Sequence, residues 1–308
     1  MDDATMNDGQ MRTPKVTSTD VAIALLPPVS PSLWVGGMHM HNVPMALVRE
    51  VIRQGKRFET LYAGPSASMA ADLLIGARLV DRVVLGYVGF EHIGLAPALR
   101  RAVESANQLD IIDADSGSLV LALQAGASGQ PLAVLPDGLQ RTSLPEASPG
   151  WYRSLTDPFS GEVRLSVPAV RPSVALVHCQ QADEYGNGIF KGSMFADRLL
   201  AFAADRVVMQ IEQLVGNNQI IKYPQQTGIP GFLVHSVVPV NFGCHPTASH
   251  RFYNYDDVHI RLYLKAAATV EGFDEYLRRF VLQPDDQEEY MRRVQNQDWG
   301  AIQEEARE

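Results

Sequence analysis

The sequence predicts an α/β fold, a mostly parallel sheet with helices on both faces. Three observations lead there. Short apolar runs alternate with helical patterns from about residue 20 onward, the rhythm of βαβ units. Small-residue turns punctuate that alternation. The length of 308 residues, 46% of them hydrophobic, suits one large core.

In order, VAIALL (21–26) and SLWVGG (32–37) read as strands. PMALVREVIRQG (44–55) reads as a helix: Pro44 suits a first turn, Met45, Val48, Val51 and Ile52 share a face, and Gly55 closes it. FETLYAG (58–64) is a strand, MAADLLIGARL (69–79) a helix and VDRVVLGYVG (80–89) a strand. LAPALRRAVESAN (95–107), LDIIDAD (109–115) and SLVLALQAGAS (118–128) continue as helix, strand and helix. Residues 129–173, rich in Pro, Gly and Ser, break the rhythm and read as loops and short hairpins. SVALVHCQQAD (173–183) restarts as a buried strand. FADRLLAFAAD (195–205) is a helix and RVVMQIEQLV (206–215) a strand. Two helical patterns, GFDEYLRRFVL and DDQEEYMRRVQNQ, flank Gln283-Pro284 near the end. The expected organisation is a tail over 1–18, one α/β domain over 19–283 and a helical extension over 284–308.

Composition excludes some classes. A formal net charge of −9 argues against a nucleic-acid partner, which needs a basic patch. Backbone N–H groups could still hold an anionic ligand. The two cysteines, Cys179 and Cys244, form no CxxC pair, so reduced thiols and a cytoplasmic location are expected. The polar, acidic N-terminus lacks a signal core, and no apolar run approaches a membrane span.

Several stretches could carry chemistry. Gly36-Gly37 precedes a helix, where glycine lets the backbone approach a ligand and a helix N-terminus favours an anion; a plain turn is the alternative. His39 and His41, one residue apart, would share a strand face. No Asp, Glu or Cys beside them completes a metal set, so pocket lining is favoured over metal, and no metal is expected. Ser66 and Ser68 in GPSAS end a strand. They either cap the next helix or bind a carboxylate or phosphate. Glu91 and His92 in GYVGFEHIGLAP are a possible acid–base pair or a solvated loop. Asn187 in ADEYGNG is turn chemistry, with ligand contact the alternative. Glu212 on an apolar strand needs a partner if buried. NFGCHPTASHRFYNYDD (241–257) is an irregular loop whose Cys244-His245 lacks a catalytic signature. There is no GxSxG, Walker loop or GxGxxG.

Five stretches in order resemble the alpha-subunit side of the family I CoA-transferases, of the glutaconate type and with relatives in steroid-ring degradation. They are VGG with PMALVREVIRQG, then ADLLIGARLVDRVVLGYVGFEHIGLAPALRRAVE, VPAVRPSVALVHCQQADEYGNGIF, AADRVVMQIEQLV, and GCHPT with YNYDD, across roughly 33–282. The resemblance implies a three-layer α/β/α fold of the NagB/RpiA/CoA-transferase type. It implies a homologous beta subunit, an α2β2 or larger assembly, and coenzyme A as substrate with no cofactor. The catalytic glutamate would lie in the beta half, so no catalytic residue is expected here, Glu91 being the candidate within this chain. Gly36, Gly37, His39, His41, Ser66, Ser68, Glu91 and Asn187 would shape the site for acyl-CoA and carboxylic acid substrates. One departure stands out. The steroid-ring relatives carry Asp-Glu-Gly where this chain has Asp115-Ser116-Gly117, and an unactivated serine is no general base at neutral pH. Transfer of CoA is therefore expected ahead of CoA-ester hydrolysis or ring opening, and ahead of a non-catalytic metabolite-binding module.

Overall fold

The computed structural model describes residues 12–104 and 109–294. The first half runs α1 (Thr19–Ala24), β1 (Val29–Val35), α2 (Met45–Arg53), β2 (Arg57–Ala63), α3 (Met69–Gly76), β3 (Val80–Leu85), α4 (Pro97–Glu104), β4 (Asp110–Asp113) and α5 (Ser116–Ala127). A small antiparallel module follows, with β5 (Leu132–Val134), α6 (Leu144–Ala147), β6 (Arg153–Thr156) and β7 (Val163–Pro168). The second half is β8 (Val174–Ala182), β9 (Gly188–Ile189), α7 (Asp197–Ala203), β10 (Val207–Leu214), α8 (Asn217–Lys222), β11 (Thr227–Ile229) and β12 (Ser236–Pro239). Helices α9 (Asp257–Ala266), α10 (Val270–Leu277) and α11 (Gln287–Val294) complete the described chain.

The main sheet has the parallel order β12-β10-β8-β1-β2-β3-β4, with β9 and β11 added antiparallel beyond β8. The chain builds outward from β1 to β4. It then returns to the other flank of β1 and builds outward again from β8. The carboxyl ends of β1 and β8 thus form a topological switch point, where ligands of open α/β sheets bind.

Alternation along the strands sorts side chains into two cores. Leu33, Val83, Leu176 and Val208 face one side and pack under α2, α3, α9, α10 and α11. Their neighbours Trp34, Val84, Val177 and Met209 face the other, under α5, α7 and the small module. This is the period-2 geometry of a strand buried on both faces, and the result is three layers, α/β/α.

One segment departs from expectation. Residues 21–26, read as a strand, lie in and just beyond α1. Six apolar residues are ambiguous between strand and helix. Here Ser18-Thr19-Asp20 opens the segment and Pro27-Pro28 stops it, with Ala22, Ile23 and Leu26 buried. Most of the expected 1–18 tail lies outside the described residues. Its end does not hang loose: Val16 bridges Val237, and Lys15 Nζ donates to the carbonyls of Gly231 and Val234, each at 2.7 Å.

Candidate functional site

Three strands deliver their following loops to one place. Gly36-Gly37 and His39 leave β1, Ser66 and Ser68 leave β2, and Glu91 lies beyond β3. The Asp183–Gly188 turn leaves β8 and lines a different cleft. Gly36, Gly37, His39, Ser66 and Ser68 line a single cavity of about 20 Å3, roughly the room for one water molecule. The roomier clefts lie elsewhere. One of about 540 Å3 is lined by Arg78 and Leu79, which precede β3 and so mark the opposite end of the sheet.

The two glycine N–H groups are already engaged. Gly36 donates to Leu176 O at 2.7 Å and Gly37 to Asp197 Oδ1 at 2.9 Å. Their value is steric. A Cβ on Gly36 would sit 2.6 Å from Asp197 Oδ1, and Gly37 has φ +82°, which a side chain rarely tolerates. Asp197, at the start of α7, is fully buried, and its Oδ2 has no hydrogen-bond partner among the described residues. Burial pushes its pKa up to about 7, with the Gly37 N–H pulling the other way.

His39 is clamped by its backbone. Its N–H donates to Ser66 O at 3.1 Å, and its carbonyl accepts the Ser68 hydroxyl. Ser68 stands at the N-terminus of α3 but makes no side-chain cap there, because that hydroxyl is committed to His39. The His39 ring lies edge-on to Tyr87, centroids 5.7 Å apart. Its Nδ1 is 3.3 Å from Glu91 Oε1, close enough for a charge contact when protonated but too poorly aligned for a hydrogen bond. The side chains of His39 and Glu91 are 20% and 44% exposed. Both residues adopt left-handed backbone, φ 50° and 52°, a conformation that concentrates at functional sites in non-glycine residues. The Tyr87 hydroxyl accepts the Glu91 N–H at 3.2 Å.

His41 packs edge-on to Tyr255. Burial lowers its pKa, the nearby His250 and His39 lower it further, and Glu91 opposes them. Three histidines and one glutamate therefore share this end of the sheet. Asn187 stands apart, lining a cleft with Lys15 and Phe232. Its Nδ2 donates to Asp183 Oδ2 at 2.8 Å and its Oδ1 accepts the Gly231 N–H at 2.9 Å. Asn217 Nδ2 reaches the same Asp183 oxygen at 2.6 Å.

Beneath the loops runs a buried polar layer. Glu212 accepts the Phe242 N–H at 2.8 Å and the Tyr253 hydroxyl proton, and burial pushes its pKa up to about 7. His178 meets Ser249 Oγ and Gln210 Nε2, each at 3.0 Å, and burial lowers its pKa to about 3. His178, Glu212 and Cys244 bring ligand atoms within 4.8 Å of one another. They are the described group with the donor types for a metal, although His178 and Glu212 are already hydrogen-bonded to protein. Burial drives the Cys244 thiol pKa well up, which removes it as a nucleophile. Deeper still, His245 bonds Tyr290 and Asp256 at 2.7 and 3.1 Å. In the Asp115-Ser116-Gly117 triplet, Asp115 caps α5 by accepting the Ser118 N–H at 3.0 Å. Ser116 packs against Gly86.

Of the expected residues, six gather at the switch point: Gly36, Gly37, His39, Ser66, Ser68 and Glu91, with His41 alongside. Asp197, Tyr87 and His250 were not anticipated. Asp197 reads in sequence as an ordinary acidic first-turn residue, and only its approach to the glycines sets it apart.

The profile of the coenzyme A transferase family matches residues 17–239. An uncharacterised protein of Archaeoglobus fulgidus is 34% identical over 83% of this chain, which spans 57% of that protein's length. The A-type subunit of the 3-oxoadipate CoA-transferase of Pseudomonas knackmussii is 32% identical, covering 77% of this chain and 85% of its own. The corresponding subunit of the glutaconate CoA-transferase of Acidaminococcus fermentans is 27% identical over 91% of this chain and 92% of its own. The crystal structure of that transferase superimposes with a TM-score of 0.85.

Proposed function

This chain belongs to the coenzyme A transferase family, and we propose that it is the A-type subunit of a heteromeric enzyme that moves CoA between carboxylic acids. The observation that carries this reading is the half-built site. Residues from the ends of β1 and β2 line a cavity of about 20 Å3, far below the hundreds of cubic ångströms of a typical ligand pocket, and Glu91 from beyond β3 stands beside it against His39. A second chain facing this end of the sheet would supply the remaining walls.

It would also supply the attacking group. Asp183, Asp197 and Glu212 are buried and hydrogen-bonded within the chain. Glu91 is the half-exposed carboxylate at the rim, and it faces His39. On this reading a partner glutamate attacks the acyl-CoA carbonyl, the C–S bond breaks, and an acyl-glutamyl anhydride forms as CoA thiolate leaves. The thiolate then attacks the glutamyl carbonyl and releases the first acid as its carboxylate. The resulting glutamyl-CoA thioester passes CoA to the second acid by the reverse steps. The present chain shapes the acyl pocket, and His41 and His250, close to one another at this end of the sheet, favour an acyl group that carries a second carboxylate.

Co-expression with a beta-type subunit tests this. The purified complex, given glutaryl-CoA and acetate, forms acetyl-CoA. Borohydride or hydroxylamine traps an intermediate on the partner, not on this chain. Free thiol release without acetate would favour a hydrolase instead, and failure to bind any acyl-CoA would remove the reading.

A further inference from the structure

CoA exchange between two carboxylates consumes and releases no proton, so it needs no general base. The switch point nonetheless holds an imidazole placed like one. His39 Nδ1 lies 3.3 Å from Glu91 Oε1, a charge contact without hydrogen-bond alignment. No partner for Nε2 is found among the described residues. The contact is loose, as acid–base pairs often are before substrate binds. Its geometry is held firmly all the same. The main chain of His39 is pinned by Ser66 and Ser68, and Glu91 is pinned through its N–H by Tyr87, whose ring also flanks His39. Two non-glycine residues from different strand ends hold left-handed backbone, a conformation that concentrates at functional sites. A base oriented by a carboxylate is the arrangement that activates proton abstraction. The Ser66 hydroxyl lines the same cavity and has no partner among the described residues, so a donor is available for a thioester oxygen.

We propose that His39, oriented by Glu91, is a catalytic residue of this chain that exchanges the α-proton of the bound acyl-CoA; this rests on the acyl-CoA site proposed above. In the step, Nε2 of neutral His39 takes a proton from the carbon next to the thioester carbonyl. The C–H electron pair moves into the thioester as an enolate, whose oxygen accepts a hydrogen bond from Ser66. Nδ1–H of the imidazolium faces the Glu91 carboxylate. The imidazolium then returns a proton, drawn from solvent, to the same carbon. No bond to sulfur changes and no co-reactant is needed. The same equipment would serve a reaction that makes or discharges an acyl-CoA enolate.

The test uses the full chain in complex with its beta subunit, in D2O, with glutaryl-CoA as probe and acetate as acceptor. Mass spectrometry reads deuterium at the α-carbon, and acetyl-CoA formation in the same tube reads transfer. The wild-type complex incorporates deuterium at that carbon. His39→Asn keeps a residue that tolerates left-handed backbone, and it lowers the ratio of exchange to transfer by about 100-fold, the scale of one general base. Glu91→Gln lowers that ratio less and shifts the pH profile of exchange. Residual transfer shows that each variant complex is folded. Transfer without deuterium uptake in the wild type, or undiminished uptake in His39→Asn, overturns this inference alone. A wild-type complex that neither transfers nor exchanges removes the CoA-transferase reading and this inference with it.

Discussion

The Asp197 carboxylate accepts the Gly37 amide proton at 2.9 Å, across 160 positions of sequence. It ties the start of α7 to the loop after β1 and so sets the floor of the candidate site. The same carboxylate titrates in an unusual range.

Burial lifts the Asp197 pKa from 3.8 to about 7. The folded chain therefore holds this proton more tightly than the unfolded chain. The stability it contributes is greatest in acid and is lost as pH rises from about 4 to about 7. Asp197→Asn keeps an acceptor for Gly37 and removes the titration. Melting temperatures of wild type and variant, measured from pH 4.5 to 8, should diverge in the variant's favour as pH rises. The opposite slope contributed by His178 and His245, which burial keeps neutral, cancels in that difference. Parallel curves would refute the assignment.

Tyr253→Phe should cost about 2 kcal/mol, because it strips a partner from two buried groups at once. The hydroxyl donates to Glu212 and accepts the Cys244 N–H at 2.9 Å. Glu212 is charged above about pH 7, so the loss should be larger at pH 8 than at pH 6. Urea unfolding at the two pH values checks this.

Gly37→Ala and Gly55→Ala separate two penalties. Both glycines have positive φ, but a Cβ on Gly55 meets nothing within 4 Å, whereas one on Gly37 would lie 2.5 Å from His41 O. Gly55→Ala should cost about 1–2 kcal/mol from backbone conformation alone. Gly37→Ala should cost distinctly more and also abolish CoA transfer. Equal losses of stability would mean that the contact is relieved by a small shift.

Arg49→Ala should destabilise by about 3 kcal/mol, the scale of a buried charged hydrogen bond. The fully buried guanidinium lies 3.8 Å from the Tyr290 ring centre, and it donates to His245 O at 2.9 Å and Gln287 Oε1 at 2.6 Å. It joins α2 to α11, so hydrogen exchange should rise first across 284–294. Uniform exchange over the whole chain would instead mean that α11 unfolds with the core.

The layered fold was legible because β8 and its neighbours are apolar on both faces, while α2 shows one apolar stripe. The segment 21–26 was misread because periodicity cannot type six apolar residues. Helix α9 went unassigned because its start, capped by Asp256 accepting the His259 N–H at 2.8 Å, follows directly on an aromatic loop. At the site, sequence adjacency suggested Glu91 with His92. The contact is with His39, because two left-handed residues on different strand ends turn toward each other, and no local pattern reports that. Asn187 reads from sequence as turn chemistry, but its bond to the Gly231 N–H is not legible there, because that group comes from chain 44 positions away.

The strand order also bears on synthesis. Across the β1–β8 pairing the Ser173 hydroxyl accepts the Ser32 N–H and the Ser32 hydroxyl accepts the Ser173 N–H, 141 positions apart. As the polypeptide leaves the ribosome, β1 to β4 can pair while one flank of β1 stays bare until β8 emerges. For that interval the nascent chain presents an open hydrophobic strand to its surroundings. Chaperone capture, or slowed translation after residue 128, should matter more to the yield of this protein than its finished stability would suggest.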